Sequence, residues 1–422
     1  MPSKASKTNP WNSDTVYDLG LCRMLAQILG IWPLSCQDIF SKIRISIVAV
    51  LEISMAINLI REIFADCVMV DEMVNFLALV ACSMIAFLKV MVLRMNRTKM
   101  ELIIKSAVDD WSKIKDSSAR EIMKKHAQSG RFVFIFQMVS AFLTVIPLTL
   151  APLPFLVALP ADLEGHFENS SSPQNFSNLT SQLYEANDVA LPRSLPMGTG
   201  CFVHDISSTF YALIYILQVI QLMTTCAGNV GTDVYFFSIT MHVCGQFELL
   251  KIQFENFGES SDFFTCRQEI RALVKRHNHL IQLSNNFEDT FNILVLAQLS
   301  ANALHMSLLG IQLLICMKTG NSVGTIPVLM AFYILSLQLF LYSYAGDYLM
   351  SQIEKIRYAA YCGCWYDLSP TIVKDLMFIM SRSNRAFNLT AGKVFCMNMD
   401  NFKNIFKAMG SYFSVLKIMF DA

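Results

Sequence analysis

The sequence predicts an all-α membrane protein with seven transmembrane helices, a cytosolic N-terminus, an extracellular C-terminus and a cytosolic helical anchor region. Three observations predict it: a shortage of charge, seven long apolar segments, and a lopsided placement of basic residues between them. Of 422 residues, 54% are hydrophobic and 16% charged, where a soluble domain carries about 25% charged residues. Formal net charge is zero, so bulk electrostatics give no case for nucleic acid.

A helix needs roughly 20 mostly apolar residues to cross the hydrocarbon core. The segments that meet or approach this run approximately 43–60, 73–92, 132–151, 207–227, 291–316, 326–346 and 398–419. The fourth reads as continuing in helical form towards Phe254. The seventh is the most polar. Before the first span, the apolar stretch Leu21–Leu34 is broken by Arg23 and Pro33 and has no small-residue cleavage site, so it reads as a short re-entrant or interfacial helix within a cytosolic segment 1–42.

Lysine and arginine sort by connection. The N-terminal segment and the connections after spans two, four and six hold twenty-five between them, and the opposite connections hold only Arg61, Arg193 and Lys318. The positive-inside rule then puts the N-terminus in the cytosol. The sequons at Asn169, Asn175 and Asn178 agree, since all three fall in the long acidic loop 152–206 on the expected outer face. Those at Asn96 and Asn388 fall on the cytosolic side and are expected to stay unmodified.

The cytosolic connections read as structured. Ser369-Pro370 is an N-cap followed by proline at the first helical position, and Ile372, Leu376, Ile379, Met380 and Ser383 then share a face, with Gly392 closing the stretch. Helix extensions over 228–290 and anchor helices over 347–397 are expected to bury apolar faces against one another and against neighbouring subunits. Of the twelve cysteines, Cys67, Cys201 and Cys316 fall near the outer side, where a bridge is open. The Cys362/Cys364 pair lacks flanking ligands. His277 and His279 read as a solvated face. No metal, cofactor or enzyme motif is present, so no cofactor and no catalysis are expected.

Polar groups inside a span are costly and face protein or water. Glu52, Lys89, Gln218, Gln221, Gln298, His305, Gln312 and Gln338 read as isolated helix–helix contacts. In the last segment (398–422) the polar groups are ordered: Asp400, Asn404, Lys407, Ser411 and Ser414 are spaced 4, 3, 4 and 3, which is one helical face. Val415 and Met419 continue the stripe. A water-filled pore with an apolar constriction fits this pattern, and so does a face bonded to helices of the same subunit. Lys407 would have to snorkel, pair with Asp400 or be diluted by other subunits.

The C-terminal quarter carries a resemblance. Tyr344-Ala345-Gly346-Asp347, Ser351, Ala359-Ala360-Tyr361, Trp365-Tyr366, Lys374-Asp375-Leu376, Arg382, Leu389-Thr390-Ala391-Gly392-Lys393 and the ending Phe402, Ile405, Lys407, Ser411–Leu416 resemble the signature run of insect odorant receptors, in the style of ants, bees and wasps. Gly231-Thr232-Asp233 resembles it too. The resemblance implies an odorant-gated, non-selective cation channel subunit at the plasma membrane of a sensory neuron dendrite. It implies a heterotetramer with the odorant receptor co-receptor, joined through the cytosolic anchor, and a last span lining the pore with its constriction at Val415 and Met419. The ligand would be a small volatile or cuticular hydrophobic molecule, in a shallow pocket among the outer halves of spans two, three, four and six. Phe76, Leu77, Tyr211, Tyr215, Phe332 and Tyr333 lie at that depth. Membrane lipid is the remaining partner.

The short connection after span four departs from the co-receptor and marks a tuning receptor. Ile418-Met419 stands where gustatory relatives carry Gln-Phe. A G-protein-coupled receptor requires an outer N-terminus, against the charge count. A secondary transporter predicts internal repeats, which the sequence lacks.

Overall fold

The computed structural model describes residues 11–64, 70–150, 195–197, 207–258, 262–320, 322–383 and 387–421. Asn169, Asn175, Asn178, Cys67 and Cys201 lie outside them. The helices are α1 (Ser13–Ile28), α2 (Ile39–Ile63), α3 (Val70–Met95), α4 (Arg97–Lys113), α5 (Ser117–Leu150), α6 (Ser208–Glu255), α7 (Phe263–Thr319), α8 (Ser322–Cys362), α9 (Pro370–Ser383) and α10 (Met399–Asp421). Between α9 and α10 sits a small antiparallel hairpin, β1 (Thr390–Ala391) and β2 (Phe395–Cys396).

Six of these helices, α2, α3, α5, α6, α7 and α8, are long and apolar enough to cross a membrane. Their outward faces show why. On α2 the exposed aliphatic side chains Ile39, Ile43, Ile47, Val50, Ile53, Ile57 and Ile60 recur at helical spacing. On α6 Phe210, Leu213, Ile216, Leu217 and Ile220 are exposed. An apolar patch of that size has no place in water and suits lipid. The helix of the seventh expected span, α10, has 23 residues and so is about 34 Å long, long enough for the hydrocarbon core.

Three helices are much longer than a bilayer needs. α6, α7 and α8 have 48, 57 and 41 residues, or about 72, 85 and 62 Å at 1.5 Å per residue. The excess forms a second body beyond the spans. Its centre is α6, buried at every position from Val230 to Phe247, the mark of a helix surrounded on all sides. Phe236 anchors this core, with Phe287, Phe291 and Tyr342 at ring-centroid distances of 5.1, 5.1 and 4.8 Å.

The N-terminal helix starts earlier than expected. Asn12 caps it, its Oδ1 accepting from the Thr15 amide at 2.7 Å, so α1 includes residues that composition marks as a polar lead. It packs into the main core through Leu19, Cys22, Leu25, Ala26 and Leu29. α9 begins at Pro370 and buries Ile372, Leu376, Ile379 and Ser383. Gly392 does not close that helix. With φ +62° it is a turn residue of the hairpin, followed by Lys393 at φ +61°, and the Val394 amide donates back to the Ala391 carbonyl at 3.1 Å. Two successive positive φ values are the turn that matches strand twist.

His277 is not on a solvated face. It is 2% exposed, wedged between α7 and α9 with its Nε2 3.2 Å from Ser383 Oγ. His279 lies 2.9 Å from Ser106 Oγ of α4.

Candidate functional site

The last helix, α10, has two faces. Phe402, Ile405, Met409 and Phe413 turn inward, spaced 3, 4 and 4. Phe402 packs on Phe340 of α8 at 5.8 Å and Phe406 on Phe332 at 6.2 Å. The opposite face carries Asp400, Asn404, Lys407, Ser411, Ser414 and Val415, every one exposed. Ser414 Oγ donates to the Gly410 carbonyl of its own helix at 3.0 Å, and Asp400 pairs with Lys403 at 3.1 Å, not with Lys407. Among the described residues, the stripe therefore makes no hydrogen bond or ion pair to another helix of the same chain. Met419 lies on the helix, but its side chain is outside the described set.

The hairpin fixes where α10 starts. Lys393 donates to Glu288 of α7 and, at 2.8 Å, to Asp289; these two carboxylates hold its ammonium above the usual lysine value. Thr390 Oγ1 also donates to Glu288, and the Gly392 amide donates to the Asn292 carbonyl at 2.9 Å. On the other flank Gly346 of α8 lies against Met397; a Cβ there would sit 2.2 Å from the Met397 carbonyl oxygen. Asn398 then caps α10 through the Asn401 amide at 2.8 Å.

The polar residues of the spans are not isolated. Lys89 of α3 donates to Asp233 of α6 at 2.5 Å. Asp233 also accepts from Tyr342 Oη at 2.5 Å and Gln338 Nε2 at 3.1 Å, both on α8. Gln298 of α7 extends the chain to Gln338 at 3.1 Å and to Asn302 at 2.7 Å. Four helices thus meet in one buried network. A second joins Glu52 of α2 to Ser83 of α3 at 3.0 Å and Thr225 of α6 at 2.8 Å. Lys89, on the second span, and Asp233, on the helical continuation of the fourth, carry opposite charge, which was the signal available in the sequence; their common depth was not.

The aromatic candidates for a ligand site fall in different surroundings. Phe76 is 3% exposed, in a small cluster with Met55, Leu59, Met197 and Leu222. Tyr211 and Tyr215 face each other at 6.3 Å, and Tyr215 donates to the Thr149 carbonyl of α5. Phe332 packs on α10, while Leu77 and Tyr333 stand partly exposed.

Away from the spans, α1 is tied down by charge. Asp14 meets Arg120 and Lys124 of α5, each at 3.1 Å. Asp18 accepts from Trp111 Nε1 of α4 at 2.8 Å and lies 2.7 Å from His242 Nδ1 of α6. Asp110 of α4 takes Arg276 of α7 at 2.7 Å. Burial pushes the Asp110 carboxyl up, but His242 and Arg276 outweigh it and hold the group below its ordinary value of 3.8.

Comparison with known proteins agrees with this arrangement. Residues 69–410 match the model of the 7tm Odorant receptor family. Odorant receptor 10 of Aedes albopictus is 24% identical over 236 residues, 54% of this chain and 61% of that protein. Odorant receptor 10a of Drosophila melanogaster is 22% identical over 418 residues, 95% of this chain and 96% of that one. The odorant receptor coreceptor of Anopheles gambiae is 25% identical over 150 residues, 36% of this chain and 31% of its own. Among solved structures, the insect olfactory receptor OR5 from Machilis hrabei superposes with TM-score 0.73 at 13% identity, covering 96% of this chain and 99% of that one. The same receptor in complex with eugenol gives 0.72 at 14% identity, with the same coverage. This chain is a multi-pass, all-α membrane protein and belongs to the 7tm odorant receptor family.

Proposed function

We propose that the chain is an odorant-gated cation channel subunit of a sensory neuron's plasma membrane, acting in a heterotetramer with the odorant receptor co-receptor. The observation that carries this reading is the exposed polar face of α10. Its five polar side chains, Asp400, Asn404, Lys407, Ser411 and Ser414, have no place in lipid and are not covered by their own chain. Four such helices around an axis would wall a wet pathway, with Val415, and Met419 one turn beyond, as the apolar ring that gates it by dewetting. Lys407 then stands in a pathway shared with co-receptor helices, where its charge is diluted.

The orientation, with the N-terminus and the long helix extensions in the cytosol, rests on the basic residues: Arg120, Lys124 and Arg276 all lie in the body beyond the spans. The ligand is a small, mainly apolar molecule. Eugenol in the Machilis hrabei receptor is of that class, and Phe76, Leu77, Tyr211, Tyr215, Phe332 and Tyr333 are the residues we assign to its recognition. A pocket of this kind orients its ligand with few polar groups, and the Tyr211–Tyr215 pair supplies two.

The test is co-expression with a co-receptor and recording of current across a broad odorant panel. The reading expects odorant-evoked cation current that survives G-protein inhibitors. Surface-expressed protein with no current, or current abolished by those inhibitors, rejects it.

A further inference from the structure

A cleft of about 870 Å³ opens between α7 and α9, in the body beyond the spans. One wall is a single face of α7: Arg271, Lys275, His279 and Gln282, spaced 4, 4 and 3, so that successive side chains stack one turn apart. The other wall is α9, with Arg382 at one end, and buried His277 lies behind it. Asp375 is the one carboxylate among the lining residues. Arg271, Lys275 and Arg382 are exposed, and among the described residues none of them forms an ion pair. Like charges facing one another across a cleft repel, and a polyanion between them removes that cost.

We propose that this cleft binds a small soluble molecule carrying several phosphate groups. Two guanidinium forks match phosphate oxygens two at a time, with Lys275 and His279 as further donors. The volume fits a ligand site, for which 300–1,000 Å³ is typical. Distance argues for a soluble ligand over a lipid headgroup. Arg271 precedes the apolar start of the α7 span, Phe291, by twenty positions and Gln282 by nine, about 30 and 14 Å along the helix. Most of the cleft is therefore out of reach of a headgroup held at the membrane surface. α9 leads through the hairpin directly into α10, so a ligand that clamps α9 to α7 acts on the element that sets where α10 begins. The site stands on this geometry alone; only its cytosolic side is taken from the orientation proposed above.

The test uses the full receptor purified with its co-receptor, with inositol hexakisphosphate as the probe. Binding is measured for the wild type, for Arg271→Gln/Arg382→Gln, and for Asp375→Asn. The double variant should bind at least about tenfold more weakly. Asp375→Asn, which removes the opposing carboxylate, should bind several-fold more tightly, and raised salt should weaken all three. Equal binding by wild type and both variants, or none to the wild type, overturns the proposal. A parallel arm uses phosphatidylcholine nanodiscs with and without about 5% phosphatidylinositol bisphosphate. Stabilisation by that lipid alone, lost in the double variant and not reproduced by the soluble probe, would assign the cleft to a headgroup and also overturn it.

Discussion

Lys89 of α3 and Asp233 of α6 meet at 2.5 Å with side chains 1% and 4% exposed, so the two helices are joined by an ion pair that solvent does not reach. Tyr342 and Gln338 of α8 bond the same carboxylate. The pair therefore fixes the relative rotation of three helices beneath the proposed ligand site.

Breaking one partner leaves a buried charge uncompensated, at a cost of about 3–5 kcal/mol. Lys89→Met and Asp233→Leu are each expected to reduce the folded, monodisperse receptor recovered in detergent. The double variant should recover much of the loss, since both charges are gone. Fluorescence-detected size exclusion with a thermal ramp measures it. A double variant as poor as the sum of the singles would show that the pair is not the relevant interaction.

Much of this fold was legible in the sequence because two of its causes are one-dimensional. Span length shows as an apolar run, and the two faces of α10 show as a 3.6-residue period. The α9 helix announced itself through Ser369-Pro370 for the same reason. What was not legible depends on which helices become neighbours. Gln298, Gln338 and Lys89 read as single polar residues because their partners lie 40 to 144 positions away. His277 looked solvated because nothing local says that Ser383 will cover it. Gly392 read as a helix stop, since a positive φ serves a helix end and a hairpin turn equally; the second positive φ, at Lys393, decides for the turn. The aromatic candidates show the limit most clearly: depth placed six residues at one level, and packing sent them to different surroundings.

The hairpin should couple α7 to gating. Lys393→Met removes its contacts to Glu288 and Asp289 while leaving the backbone bond from Gly392 to Asn292. We expect normal surface expression with a shifted odorant dose–response or raised leak current. Gly346→Ala, which forces a methyl group onto the Met397 carbonyl, should do more, cutting maximal current several-fold. Currents indistinguishable from wild type in both variants would remove the hairpin from the gating account.

Asp110 gives a pH dependence with a defined sign. Its carboxyl is held below 3.8 in the folded state, so folding favours the charged form. The stability this supplies is present above the ordinary carboxylate value and is lost as pH falls through the lower folded value. Thermal unfolding of the wild type from pH 7 to pH 3 should therefore show a fall in the most acidic part of the range. Asp110→Asn should lower stability at pH 7 and show a smaller fall; an unchanged pH profile would contradict the assignment.

Glycosidase treatment tests orientation. If loop 152–206 faces outward, the enzyme should increase the mobility of the mature protein, and replacing Asn169, Asn175 and Asn178 together with Gln should abolish the change. A persisting shift that depends on Asn96 or Asn388 would turn the chain over in the membrane.

The central claim is that the polar face of α10 lines the ion pathway, and cysteine accessibility measures it most directly. Single cysteines at Asn404, Lys407, Ser411, Ser414 and Val415, and at the inward positions Phe402, Ile405, Met409 and Phe413, would be expressed with the co-receptor and exposed to a charged thiol reagent during odorant application. Current should be modified at the first set and not at the second, and Val415→Cys, together with a further Met419→Cys variant, should also alter leak. Modification that is uniform along the helix, or confined to the inward set, would contradict it.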